Sequence, residues 1–391
     1  MKKILLFFPK LEKSKSYHYF PVSLLAMSAP MAANGIDVEI FDERVDNDLV
    51  DRLENVSDFM VSLYTGYQFS RGYEVTKWVR KNYPHIKITW GGPAISAMDE
   101  NIFDYKLVDN YIKEDIDDGT YPIPYWLVNL EKYINPSTKR FIYLTSYNCI
   151  GSCSFCQTKK RRKLKFLPLE RVENDINYLM EHYPYEEVVF FDATIFTKPS
   201  RALFIADLMR KHGLKWICDS RADEICRTSR EMLDSIVNSG LTQITIGLET
   251  GSQRVADAMK KGKNHLEKYR QCAEIMSKYD IKMCSGVIFG TPGETPEDIK
   301  QTIEYIKEIK AINPNFYIST TFFMPLPGTE MAEACKAYGY KEPDTLQGWA
   351  ELGANTHYSY NKYHSSMWIQ EPEEYKRIYD NFVAENGDLF I

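Results

Sequence analysis

Short apolar runs, each closed by a turn and followed by a stretch of helical periodicity, recur along this chain, and such alternation restricts the fold to strand-helix units around parallel sheets. In the first third, Lys3 to Phe8 reads as an apolar strand that ends at Pro9, and Pro21 to Asn34 as a helix stopped by Gly35. Val38 to Phe41 is a second strand closing on Asp42, Phe59 to Tyr64 a third, and Ile86 to Trp90 a fourth that runs into Gly91-Gly92-Pro93. Gly72 to Tyr83 supplies the helix between the last two. These pieces predict an open, doubly wound parallel sheet whose ligand would lie beyond the carboxyl ends of the strands. From Arg140 the pattern changes to that of a barrel. Strand candidates follow at Phe141 to Ser146, Val188 to Asp192, Lys215 to Ser220, Gln243 to Glu249, Lys282 to Gly290 and Phe316 to Met324, separated by helical stretches such as Glu170 to His182 and Pro296 to Ile309.

The 391 residues exceed what one core usually serves, so two α/β domains and an appendage are expected, at 1–130, 131–338 and 339–391. A hydrophobic content of 44% with 26% charged residues is that of an ordinary globular chain. The net charge of -6 creates no field that would gather nucleic acid or an anionic membrane. The basic run Lys159 to Lys165 is too short to reverse that and reads as a solvated stretch. The opening Lys2 to Phe8 resembles a signal peptide only superficially, because its apolar run stops at Pro9 and continues into Lys10, Glu12 and Lys13. No segment approaches the roughly 18 apolar residues of a membrane span. Of eight cysteines, three cluster and five are scattered, which argues for a reducing, cytoplasmic compartment rather than a disulfide framework.

The clustered three are Cys149, Cys153 and Cys156, in Tyr-Asn-Cys-Ile-Gly-Ser-Cys-Ser-Phe-Cys, immediately after the first barrel strand. Thiolates at C-x3-C-x2-C spacing can hold three irons of a 4Fe-4S cluster and leave the fourth iron open. A closed zinc site would need a fourth Cys or His at ligand spacing, and none follows.

This spacing, with Phe155 before the last cysteine, resembles the signature of the radical S-adenosylmethionine (radical SAM) superfamily. The resemblance implies a partial (β/α)6 barrel in which the open iron is chelated by the amino and carboxylate groups of SAM, which the reduced cluster cleaves to a 5′-deoxyadenosyl radical. Further motifs stand in the family's order. Phe190-Phe191-Asp192-Ala193-Thr194 is where the family meets SAM's amino group, which implies Asp192 as a contact; relatives often carry paired aspartates there. Arg221 is implied as a forked donor to SAM's carboxylate, with a surface arginine as the alternative. Ile246-Gly247-Leu248-Glu249-Thr250-Gly251-Ser252 resembles the fourth-strand motif and implies Glu249 and Thr250 at the ribose. Val287-Ile288-Phe289-Gly290-Thr291-Pro292-Gly293 resembles the fifth and implies Ile288 and Gly290 by the adenine, with Thr295 capping the next helix ahead of Pro296. Pro325-Leu326-Pro327-Gly328-Thr329 matches the turn after the sixth strand.

The first domain resembles the cobalamin-binding domain that precedes one large radical SAM class. The features are a strand ending in Pro9, the Pro21-x-Ser-Leu-Leu-Ala helix, Asp42, the Ser62-x-x-Thr65 turn and Gly91-Gly92-Pro93. The resemblance implies cobalamin at Pro9, Ser62, Thr65, Gly91, Gly92 and Pro93, the glycines admitting a bulky planar ligand; taken alone, the glycines read first as a turn. No Asp-x-His-x-x-Gly occurs, so no histidine is placed under the cobalt. Where the class shows Gly-Glu-Gly-Glu, this chain has Tyr111 to Asp118. The implied activity is cobalamin-dependent radical methylation of an unactivated carbon in a natural-product, peptide or other small-molecule substrate, served by an electron donor such as flavodoxin or ferredoxin. Ring formation, contraction or rearrangement without methylation is the alternative within the class, and an iron-sulfur carrier or sensor without SAM turnover the alternative outside it. The segment after 338, with Tyr358, Tyr360, Tyr363 and Trp368, is expected either to cover the barrel and help bind substrate or to pack on it.

Overall fold

The structure is a computed structural model that describes residues 3–11, 19–114, 119–160, 164–355 and 367–391. Residues 161–163 of the basic run, 115–118 of the acidic stretch, and Tyr358, Tyr360 and Tyr363 therefore lie outside the described residues. The chain divides into two compact units. One comprises Met1–Ile142, Leu167–Tyr185 and Lys341–Tyr358, and the other Tyr143–Phe166, Glu186–Tyr340 and Ser359–Ile391. Among the described residues no helix is long and apolar enough to cross a membrane.

In the first unit β1 (Lys3–Phe8), β2 (Asp37–Asp42), β3 (Val56–Ser62), β4 (Lys87–Gly91) and β5 (Asn110–Tyr111) form a parallel sheet in the order β2-β1-β3-β4-β5. The strands are near-continuous apolar runs because helices such as Val22–Ala33 and Tyr67–Asn82 connect them across its faces. Phe7 and Phe59 are fully buried and stack at 5.4 Å, and each such ring contributes roughly 1.5–3 kcal/mol by leaving water. The strand order reverses between β1 and β3, which directs the ligand crevice of such a sheet to where Pro9 and Ser62 emerge.

In the other large sheet the strand order follows the chain. β6 (Arg140–Tyr143), β9 (Glu187–Phe190), β10 (Lys215–Ser220), β11 (Leu241–Ile246), β12 (Lys282–Phe289) and β13 (Phe316–Phe322) form a six-stranded sheet, each next to its predecessor. That is the partial barrel expected, with parallel pairing from β9 through β13. The helix Pro296–Ile312 begins as the sequence predicts. Thr295 and Asp298 form a reciprocal capping box ahead of Pro296, satisfying backbone donors that would otherwise be orphaned. A short hairpin of β7 (Ser146–Tyr147) and β8 (Lys165–Phe166) closes the base of the loop that carries the three cysteines.

The segment after 338, taken above as one appendage, is divided between the units. Leu346, Trp349 and Ala350 of the helix Leu346–Asn355 join the hydrophobic core of the first unit. The helix Pro372–Glu385 and the C-terminus belong to the second, where Ile391 N donates to Ile318 O at 3.2 Å along the edge strand β13. An edge strand leaves a row of unpaired backbone groups, and this contact covers part of it.

Candidate active site

The cysteine loop is fixed by bonds to the turns after later strands of the second unit. Ser154 donates from its backbone to Met259 O at 3.0 Å and from its hydroxyl to Ala258 O at 2.7 Å; its carbonyl accepts from Met331 N at 3.0 Å. Gln157 Nε2 adds a bond to Pro327 O at 3.2 Å, which gives the Pro325 to Thr329 turn a task in holding this loop. Cys149, Cys153 and Cys156 are half-buried free thiols, whereas Cys218, Cys272, Cys284 and Cys335 are fully buried. Gly151 lies between the sulfurs: its N–H donates to Cys149 Sγ at 3.2 Å, and a Cβ there would stand 3.4 Å from Cys149 Sγ, 3.9 Å from Cys153 Sγ and 3.1 Å from Arg221 Nη1.

A glycine between two sulfurs, which keeps a Cβ out of the space they share with the Arg221 guanidinium, suits a polynuclear cluster. Among the described residues no three Cys, His, Asp or Glu side chains are placed to hold a metal ion. Ligands of one ion must converge on a single point, whereas a cluster binds each thiolate through a different iron.

Around the loop the charges are arranged asymmetrically. Lys261 Nζ lies 3.2 Å from Glu249 Oε1, with only 12% and 15% of the two side chains exposed. Lys261 and Arg221 both act on Cys153 to favour its thiolate, against burial, which is the larger influence and pushes the thiol up, and against Glu249 and Cys156. Arg221 is a residue of the cysteine loop's surroundings rather than a free surface arginine; its Nε also donates to Asp223 Oδ1 at 2.9 Å. Lys261 escaped the sequence, where it is only one of a basic pair before Gly262.

Glu249 stands in a left-handed conformation, φ 66°, which few non-glycine residues adopt without a structural reason. The reason is its backbone: Glu249 N donates to Gly286 O at 2.9 Å and Ile288 N donates to Glu249 O at 2.8 Å, tying the end of β11 to β12. Its carboxylate then lies over the face that Gly286 and Ile288 leave half-open. Asp219, on β10, opens onto solvent yet has protein around it; burial, with the Asp192 and Glu249 charges, pushes its carboxyl up to about 6 against a hydrogen bond from Thr245. His265 is a structural histidine, its ring bonded to Leu248 O at 2.9 Å and its pKa pushed down to about 4 by burial and the Lys261 charge.

Two of the expected contact residues are engaged by partners within the protein. Asp192 is 1% exposed, and its carboxylate accepts from Thr145 N at 2.9 Å, Thr145 Oγ1 at 2.7 Å and Ser146 Oγ, with the Arg201 guanidinium opposite. It braces the chain at the entrance to the cysteine loop, and Arg201 braces the same point by donating to Thr145 O at 2.8 Å. Thr250 is fully buried, its hydroxyl 3.1 Å from that of Thr302, so the ribose contact implied for it has no open atom. The neighbouring Gly251 is required by packing: a Cβ would stand 2.6 Å from Tyr305 Cβ and 2.8 Å from Thr302 Cα. Gly290 ends β12 with φ 71° and is buried.

In the first unit the segments singled out do converge at the carboxyl ends of β1, β3 and β4. Gln68, which the sequence did not single out, is buried and joins two of them, its Nε2 donating to Pro9 O at 3.0 Å and its Oε1 accepting from Tyr64 N at 2.8 Å. Leu63 N donates to Gly91 O at 2.9 Å and Ala94 N to Leu63 O at 3.0 Å. Pro9 and Ser62 are buried, while Thr65 and Gly91 to Pro93 are half-open. Gly92, with φ 95°, has an internal reason to be glycine, since a Cβ would stand 2.7 Å from Leu63 N. Asp42 is likewise spent inside the unit, bonded by Arg44 and by the Tyr133 hydroxyl at 2.9 Å.

Comparison with known proteins agrees with this geometry. Residues 143–306 match the profile of the Radical SAM superfamily. An uncharacterized methyltransferase of Pyrococcus horikoshii is 25% identical over 217 residues, 54% of this chain and 46% of that one. Cytidylyl-2-hydroxyethylphosphonate methyltransferase of Streptomyces wedmorensis is 24% identical over 241 residues, covering 57% and 44%. The chain thus spans about half the length of these curated relatives. Among solved structures, the radical SAM methyltransferase TsrM of Kitasatospora setae, with cobalamin and a [4Fe-4S] cluster bound, superposes at a TM-score of 0.70 over 100% of this chain and 89% of that one, at 14% identity. The matched profile identifies residues 143–306, which carry the cysteine loop and the strands β9 to β12, as a radical SAM domain.

Proposed function

We propose that this protein is a cobalamin-dependent radical SAM methyltransferase acting on an unactivated carbon of a small-molecule or peptide substrate. The observation that carries the proposal is the pairing, in one chain, of the half-buried cysteine loop with a sheet of order β2-β1-β3-β4-β5, in a fold that follows TsrM along its whole length. When bound, the cluster supplies the electron that cleaves SAM, and cobalamin carries the methyl group to be transferred.

The chain's own residues hold and orient. Cys149, Cys153 and Cys156 would bind three irons, and Gly151 leaves the hollow between two of their sulfurs open. Arg221, beside that hollow, is suited to SAM's carboxylate, since a guanidinium meets a carboxylate with two parallel donors. Glu249, held by Lys261 above the Gly286 and Ile288 face, is suited to accept from the ribose hydroxyls. Asp192 keeps the loop's entrance rigid, and a 1 Å error in such a loop can lower a rate about a hundredfold. Thr65 and Gly91 to Pro93 offer cobalamin backbone and small side chains at the sheet's carboxyl edge. The site also requires a reducing compartment and an external one-electron donor of the flavodoxin or ferredoxin kind.

Anaerobic reconstitution with iron and sulfide, followed by incubation with hydroxocobalamin and gel filtration, tests both cofactors. About four irons per chain, co-eluting corrinoid and 5′-deoxyadenosine after reduction with SAM are expected. Iron without corrinoid would overturn the methyltransferase, and intact SAM after reduction would overturn the radical chemistry.

A further inference from the structure

The C-terminal segment grips one short turn of the second unit at five points. Gly290, the first residue beyond β12, donates its N–H to the Tyr375 hydroxyl at 2.9 Å, and its carbonyl accepts from Trp368 Nε1 at 2.8 Å. Three residues on, the contact passes to the backbone: Gly293 N donates to Trp368 O at 2.8 Å and Gln370 N donates to Glu294 O at 3.0 Å. The Tyr375 hydroxyl in turn donates to Glu294 Oε1 at 2.9 Å, while Thr291 donates to Oε2 from its backbone at 2.7 Å and its hydroxyl at 2.9 Å. Tyr375, Trp368, Thr291 and Glu294 are all buried.

Within this turn the bonds run between Thr291 and Glu294, and the two glycines take no part in them. Gly290 and Gly293 have φ of 71° and 77° and no side chain to lock them. Both polar groups of the Gly290 backbone are taken by side chains more than seventy residues further along the chain. The tail's own position is fixed elsewhere, by Tyr379 against the rings of Phe289 and Phe322 at 5.2 and 4.8 Å and against the Thr320 hydroxyl at 2.9 Å. A rigid element thus holds a glycine turn whose strand, through Ile288, lies on the half-open face beside Glu249.

We propose that Tyr375 and Trp368 are positioning residues, which set the end of β12 so that it can form one wall of the nucleoside pocket. This rests on the reading of that face as the SAM site. A tail that merely packs on the barrel would stabilise the fold without bearing on SAM affinity.

The test uses three conservative variants of the full chain, reconstituted anaerobically: Tyr375→Phe, Trp368→Phe and, as a control for loss of a tail hydroxyl away from the turn, Tyr379→Phe. Binding of S-adenosylhomocysteine is measured by calorimetry, together with Tm, the KM for SAM and the turnover rate at which deoxyadenosine is released. Tyr375→Phe and Trp368→Phe are expected to raise the Kd about fivefold or more, with KM following and the turnover rate within about twofold of wild type, because the first removes two buried hydrogen bonds to the turn and the second removes one. Tyr379→Phe is expected to lower Tm comparably and leave the Kd unchanged. Equal Kd for wild type and the first two variants, whatever their Tm, would overturn the positioning role. Should Tyr375→Phe fail to fold, Trp368→Phe carries the test. A wild type that takes up iron yet binds neither SAM nor its homocysteine analogue would instead overturn the SAM reading of this face, and the positioning role with it.

Discussion

Replacing Asp192 with Asn preserves the shape of the side chain and removes one charge and one acceptor position. The carboxylate accepts three hydrogen bonds, from Thr145 N, Thr145 Oγ1 and Ser146 Oγ, and faces the Arg201 guanidinium. The amide oxygen of Asn can serve the two hydroxyls, but its NH2 group then meets the Thr145 N–H donor to donor, leaving one buried donor unsatisfied at about 1–3 kcal/mol. Loss of the charge opposite Arg201 adds to this. The sum stays below the roughly 3–5 kcal/mol of a buried pair broken outright, because Arg201 keeps its bond to Thr145 O. We expect about 2–4 kcal/mol in total, a fall in Tm of roughly 5–15 °C for a unit of this size. Urea and thermal unfolding of the apoprotein measure it, and iron content with SAM affinity on the reconstituted protein shows where the loss is felt. Iron retention should fall, since the loop entrance loosens, while SAM affinity of the protein that keeps its cluster should move less than about threefold. A variant of unchanged Tm whose SAM affinity drops more than about tenfold would show that the carboxylate serves the ligand after all, and would refute its assignment as a brace.

Gly251→Ala is expected to cost about 1–3 kcal/mol, because the new methyl would press on Tyr305 Cβ and the Thr302 backbone and these cannot swing aside; urea unfolding checks it, with Gly387→Ala, which meets nothing within 4 Å, as the neutral control. Gly92→Ala is expected to destabilise the first unit by a similar 1–3 kcal/mol or so, since it combines φ 95° with a clash against Leu63 N and O; a Tm equal to wild type would count against it. Glu294, pushed up to about 7 by burial against the bonds from Thr291 and Tyr375, keeps its proton in the folded state over a range where the unfolded chain has lost it. Its contribution to stability is therefore present below the ordinary glutamate range and is lost as pH rises to about 7. His265, pushed down to about 4, has the opposite slope between about 4 and 6.5, so the Glu294 effect is read as the difference between wild type and Glu294→Gln. The variant should gain stability relative to wild type as pH rises from 5 to 8, and a constant difference would contradict the raised pKa.

What the sequence by itself determined is whatever a local period or a short motif encodes. The strand runs, the Thr295 and Pro296 helix start and the cysteine loop after the first barrel strand are each set by neighbours within a few residues, and they stand in the structure close to where they were read. That both sheets are parallel follows from the repeated strand-helix alternation, because parallel strands need a crossover, whereas the reversal in the order β2-β1-β3-β4-β5 and the sequential order of the other sheet were decided by the tertiary fold. Tertiary structure alone decided how individual polar groups are used. Asp192 and Thr250 sit in motifs that promise ligand contacts, but Thr145 and Ser146 in one case and Thr302 in the other take up their oxygens. Gln68, Lys261 and Tyr375 carried no signal, since each gains its part from a partner that folding brings to it: Pro9, Glu249 and Gly290. A carboxylate or hydroxyl has the same identity on a strand whether it faces a pocket or a neighbour's backbone. Which one it meets depends on the burial and hydrogen-bond accounting of the whole unit, and no local period encodes that.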